Sequence, residues 1–135
     1  MTKWVLAAAL VMSACAGGPP GPAAVGLGED ACAGCRMTIV SRATAAQIVR
    51  AGDEPVFFDD LGCLRDALRQ HPLPNDAVVY VADHRTGEWV NAHAATFTKS
   101  TTSTPMASGL LAHADATSRD ADPAAAGGSQ ATVMP

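Results

Sequence analysis

The residues with the most to offer chemically are sulfur donors. Cys32-Ala33-Gly34-Cys35-Arg36-Met37 places two thiols and a thioether within one short stretch. A CxxC pair has three physical readings. One is a redox disulfide of thioredoxin type, which wants the pair at a helix N-terminus after a buried strand. Here a Gly/Pro-rich stretch precedes it and an apolar β-type run follows. The second is half of a zinc site, which needs four nitrogen or sulfur ligands. The third is a structural disulfide, which an oxidising compartment favours.

Met37 adds a donor that zinc does not seek. A thioether is soft and uncharged, and thiolate with thioether selects copper(I). In an extended segment, Cys35 and Met37 at i and i+2 point to one face, about 7 Å apart. The alternative is that Met37 fills core, the commoner use of methionine. Met106 follows Thr104-Pro105 on a polar stretch, an odd place for a core residue, and is a candidate third soft ligand. The candidate metal set is therefore Cys35, Met37 and Met106, with Cys32 beside them. His93 and His113 lie in the same half as Met106 and are candidate nitrogen donors. His71 reads as a helix C-terminal group, His84 as a solvated turn residue, and Cys63 as a small buried thiol rather than a ligand.

Short elements must position these side chains. Met37–Val40, Ala45–Val49 and Pro55–Phe58 read as strands. Asp59 or Asp60 offers an N-cap, and Leu61, Leu64 and Leu68 recur at helical spacing through Arg69. His71-Pro72 closes that helix. Ala77–Ala82 is the clearest strand, Asp83–Gly87 a turn, and Glu88–Ala92 a returning strand. The Ser/Thr run at 100–104 reads as a loop, and Leu110–Ala114 as another strand. The Ala-, Asp- and Gly-rich stretch beyond Asp115 has no clear periodicity. The order implies an α+β layer, with a helix on one face of an antiparallel sheet.

The N-terminus carries an address. A lysine at position 3, an apolar run over 4–12 and Ser13-Ala14-Cys15 have the form of a secretory signal. The run is too short for a bilayer, which takes about 20 residues. Small residues before Cys15 resemble a lipobox, so residues 1–14 are expected to be removed and Cys15 lipidated. Acyl chains contribute about 0.8 kcal/mol per buried CH₂, so a multiply acylated cysteine holds a small domain at a membrane. Gly17 to Pro22 is too rich in Gly and Pro for regular structure. Residues 15–28 are expected to form anchor and flexible tether, and 29–135 one small domain.

The chain has 135 residues, 48% of them hydrophobic but only 4% aromatic, and a net charge of −4. Loss of Lys3 would leave eight Lys and Arg against thirteen Asp and Glu. An acidic chain without a basic stripe is not built for nucleic acid, whose phosphates need clustered Lys and Arg. Two function classes remain: a copper(I) metallochaperone, which is not an enzyme, and an exported thiol-disulfide oxidoreductase using Cys32 and Cys35.

Four motifs in series then carry a resemblance. Cys32-x-x-Cys35-x-Met37, Phe58-Asp59-Asp60-Leu61-Gly62-Cys63, Val79-Tyr80-Val81-x-Asp83 with Thr86-Gly87-Glu88-Trp89-Val90-Asn91-Ala92, and Thr104-Pro105-Met106 together resemble the NosL family. These are copper(I)-binding lipoproteins that serve nitrous oxide reductase. The resemblance implies two similar ββαβ units in tandem. It also implies delivery of copper(I) to the reductase's catalytic copper-sulfide centre, alongside the ABC-type complex of that assembly system. The setting implied is the periplasm; Gly17 rather than Asp close behind Cys15 fits, by the usual Gram-negative sorting pattern, an anchor in the outer membrane. Two departures stand out: Ala107 follows Met106 where the family has glycine, and His113 stands where it has an aromatic residue.

Overall fold

The computed structural model describes residues 17–135. The signal segment and Cys15 lie outside the described residues. The elements run β1 (Ala46–Val49), β2 (Val56–Phe58), α1 (Leu61–Gln70), β3 (Val78–Ala82), β4 (Trp89–Asn91), β5 (Thr96–Lys99), β6 (Leu110–His113), α2 (Ala116–Asp120), a 3-10 turn (Pro123–Ala125) and β7 (Ser129–Gln130). One antiparallel sheet has the order β2-β1-β3-β4, the other β6-β5-β7. Strands β1 and β5 play the same part. Each leads a ββαβ unit and lies between that unit's other two strands. The fold is a small α+β tandem, as expected.

In the first unit, Asp60 caps α1 by accepting from the Gly62 N–H at 2.6 Å. Leu61, Leu64 and Leu68 form the buried stripe, each contributing about 1.5–3 kcal/mol by burial. His71 ends the helix, its N–H still bonded to the Ala67 carbonyl, and Pro72 has no N–H to continue it. On the sheet, Ala46 lies opposite both Phe58 and Val81. The period of two sends Gln47 and its partner Tyr80 to the other face.

That other face is covered, and by a segment expected to be free tether. The Tyr80 hydroxyl donates to the Pro20 carbonyl at 2.9 Å. The buried Gln47 amide exchanges two hydrogen bonds with the Ala23 backbone, at 2.7 and 3.1 Å. The Gly28 N–H donates to the Ile39 carbonyl. Residues 20–28 have no regular structure, yet they are a strap across the first sheet. Gly and Pro density predicted irregularity correctly. It said nothing about polar side chains waiting on the sheet to bind an irregular backbone.

Two further differences concern strands. Met37–Val40 is not a strand: only Thr38 makes a bridge, to Ala31, because a turn at 33–35 folds the segment back on itself. Thr96–Lys99 is a strand, though three of its four residues are polar and a Ser/Thr run follows it. Its Phe97 is buried, and so is Thr98. Beyond Asp115, where the sequence has no clear periodicity, a short helix forms: five residues, then the 3-10 turn that starts at Pro123. Among the described residues no helix is long and apolar enough to cross a membrane.

Candidate metal centre

The turn that denies Met37 a strand builds the sulfur site. Cys32 donates its N–H to the Met37 carbonyl, and Arg36 donates back to the Cys32 carbonyl at 2.9 Å. Arg36 adopts φ of 67°, a left-handed conformation that non-glycine residues enter rarely. Cys35 and Met37 are therefore not the i, i+2 pair of an extended strand, and the geometric argument from that spacing fails. Met37 is half-exposed.

The loop lies against the start of α1. A Cβ on Gly34 would sit 2.9 Å from the Cys63 Cβ, so only glycine lets the loop approach this closely. The result brings together the Sγ atoms of Cys32, Cys35 and Cys63, all within 4.8 Å of one another. The three thiols are free. With metal–sulfur bonds of about 2.3 Å, three sulfurs around one ion stand about 4 Å apart. The cluster is already near that spacing.

Met106 reaches the same place from the second unit. A cavity of about 420 Å³ is walled by Cys35, Cys63, Asp66, His71 and Met106 among others. Asp60 fixes the arrangement: one carboxylate oxygen caps α1 and the other accepts from the Met106 N–H at 2.9 Å. Gly62 permits it, since a Cβ there would meet the Ser108 Cβ at 2.8 Å. One buried carboxylate thus sets the start of the cysteine-bearing helix and the methionine loop together.

The thiols are electrostatically unequal. Burial acts to raise the Cys32 thiol, but N–H groups from Asp59, Cys35 and Gly34 aimed at its sulfur outweigh it and hold it below the usual thiol range. Burial and the neighbouring Cys32 charge push Cys63 up to about 12. Cys32 therefore ionises more readily than Cys63. A bound cation favours every thiolate and would draw the remaining protons off.

The structure thus gathers Cys32 and Cys35 with Cys63 and sets Met106 on the wall of the cavity that Cys35 and Cys63 share. The sequence reading missed Cys63 as a member of the sulfur group and His71 as part of the cavity wall. Gly34, inside the Cys32–Cys35 pair, was the available signal: a glycine there marks a close approach, and it is Cys63 that the loop approaches. His93 is exposed, with its N–H on the Asn91 side chain. His113 is fully buried, and its Nε2 bonds Asp122 at 2.9 Å. It stands in a different group, with His84.

Comparison with curated proteins and with solved structures finds no match. A family model does match, that of NosL, over residues 24–130. With most of the chain covered and a three-thiol cluster able to hold a metal, this protein belongs to the NosL family of copper-binding accessory proteins.

Proposed function

We propose that the chain is an exported, lipid-anchored metallochaperone. It binds one copper(I) ion and passes it on for assembly of the copper-sulfide centre of nitrous oxide reductase. The observation that carries the first step is the convergence of Cys32, Cys35 and Cys63 beside Met106. Soft donors without a carboxylate in the group suit copper(I). Transfer is ligand exchange, with no covalent bond made or broken in the protein. Met106, 47% exposed, is the donor that an acceptor's sulfur or imidazole can displace first, while the buried Cys32 lets go last.

The oxidoreductase reading loses ground on one point. The attacking thiol of such an enzyme must be both easily ionised and accessible. Here Cys32, the thiol held below the usual range, is fully buried.

Copper(I) titration of reduced protein against a competing chelator tests the site. One ion is expected to bind. Cys35→Ser should abolish tight binding, because a hydroxyl is hard and neutral where a thiolate is soft and charged. Met106→Leu should weaken it about tenfold, or about 1.4 kcal/mol, and Met37→Leu less. Full affinity in Cys35→Ser rejects the site. Destination is tested in a host lacking the protein at limiting copper. Its nitrous oxide reductase should be exported but under-filled, its other copper enzymes spared, and added copper should partly rescue it. Unchanged reductase copper at every supply level overturns the delivery role. The anchor is tested by Cys15→Ser, which should leave the protein soluble or its precursor uncleaved.

A further inference from the structure

A second constellation lies away from the sulfurs. His84 follows β3, His113 ends β6, and Asp122 lies between α2 and the 3-10 turn. His84 Nδ1–H donates to Asp122 Oδ2 at 2.6 Å, and His113 Nε2–H donates to the same oxygen at 2.9 Å. One ligand atom from each residue lies within 4.8 Å of the other two. His113 and Asp122 are buried and His84 is partly so.

We propose that His84, His113 and Asp122 form a second metal site, for a divalent first-row transition ion such as zinc(II) or copper(II). Two imidazoles and a carboxylate offer borderline and hard donors and no sulfur. That set suits a divalent ion and not copper(I). Around a tetrahedral ion with bonds of about 2.0–2.1 Å, ligand atoms stand about 3.3 Å apart. The two hydrogen-bonded pairs need to open by roughly half an ångström to admit one. Three protein ligands leave the fourth position for water. Asp122 also borders an open surface cavity formed with the loop around Ala126 and Gly127, which gives an ion a route in.

The proton balance follows from the tautomers. Each imidazole stays neutral: the proton leaves the nitrogen that takes the metal and settles on the opposite one. For His84 the ring is partly open to solvent. For His113 the proton moves to Nδ1, which is buried and has no hydrogen-bond partner. Ligating imidazoles normally donate that N–H, and losing such a partner weakens metal binding by about 10–100-fold. The site is therefore an exchangeable one, weaker than a fully supported zinc site. Its ligands come from both units, so an occupying ion clamps the β3–β4 turn to β6 and to the end of α2.

Cobalt(II) is the probe that separates this site from the sulfurs, because only a thiolate-bound ion shows strong sulfur-to-metal absorption in the near ultraviolet. The full-length protein should take up cobalt(II) with visible d–d bands that persist in Cys35→Ser, Cys63→Ser. Zinc(II) should displace it. His84→Gln, at the least buried ligand, should weaken uptake by more than about tenfold, with circular dichroism and metal-free Tm unchanged. Zinc(II) should raise the wild-type Tm by mass action and leave His84→Gln unmoved. Absence of sulfur-free cobalt bands in the double cysteine variant, or equal zinc affinity in His84→Gln, overturns the proposal. This outcome is independent of copper(I) binding, since the cobalt signal is read with the sulfur group disabled.

Discussion

In the first unit a ten-residue helix and three strands enclose Phe58, Leu61, Leu64, Val79 and Val81. In the second, a five-residue helix and three strands enclose Phe97, Leu110 and Leu111, and then polar side chains: His113, Thr98, Ser118 and Asp122. The plan is shared and so is the capping device. Asp60 and Asp115 both stand between the second strand and the helix, and both accept from the first turn. What differs is the holding force. The first unit relies on buried apolar area. The second makes up for its short helix with hydrogen bonds, many supplied from outside it. Asp83, at the end of β3, accepts from Arg85 and Thr86 in its own turn and from Ala114 beyond β6 at 2.8 Å. The Arg85 guanidinium donates to Ser118 on α2. The three clustered thiols thus belong to the unit with the larger apolar core, and the second unit presents Met106 towards them from a loop pinned by Asp60.

This contrast can be broken at several levels. The largest effect should come from Leu64→Ala, with no exposed surface in the native fold. It should cost about 2–5 kcal/mol, read by urea unfolding, and should disturb copper(I) binding because α1 carries Cys63. A cost below 1 kcal/mol would contradict an apolar anchor. Next is acid. N–H donors from Ala114, Thr86 and Arg85 and the Ser118 hydroxyl overcome burial and lower Asp83 to about 2. A carboxyl depressed in the fold stabilises above its unfolded value of 3.8 and loses that contribution as pH falls towards 2. The stabilisation is about 2 kcal/mol. In metal-free protein, hydrogen-exchange protection of β6 and α2 should therefore fade between about pH 4 and 2 before that of β1 and β3. Simultaneous loss would show that the units are not held differently.

Asp60→Asn sharpens the comparison at the junction. An amide cannot accept on both sides, so either the Gly62 or the Met106 N–H loses its partner. The cost should be about 1–3 kcal/mol, with copper(I) affinity falling while the three cysteines remain. Unchanged affinity would mean that the Met106 loop is positioned by something else. The smallest effect should come from Ala107→Gly. Ala107 holds φ of 55°, which glycine adopts without strain. The replacement should raise stability by a few tenths to about 1 kcal/mol, seen as a slightly higher Tm.

Much of the first unit was legible because its signals are local. Leu61, Leu64 and Leu68 at helical spacing, an Asp cap and a Pro stop fixed α1 to within a residue. Val78–Ala82 reads as a strand on composition alone. In the second unit β6 was legible from Leu110–Ala114, but the rest was opaque because its stability is not written in large apolar residues. Thr96–Lys99 has one, and α2 has none; α2 and the segment leading into it lean on Arg85 and Asp83, remote in sequence. The same holds at the sulfur site. Cys32 and Cys35 announce themselves by spacing, whereas Cys63 joins them because Gly34 lets their loop close on α1. His113 looked like a spare nitrogen near Met106 and instead faces His84 and Asp122.

The strap over the first sheet changes the geometry at the membrane. With Tyr80 and Gln47 holding the chain from Pro20 onward, a lipid on Cys15 would leave five residues of slack, a contour of at most about 18 Å. Under the proposed anchoring, the domain would ride the lipid surface like a buoy on a short chain. Its encounters would then be a matter of lateral diffusion and of approach from one side, and the proposed acceptor would have to come down to the bilayer.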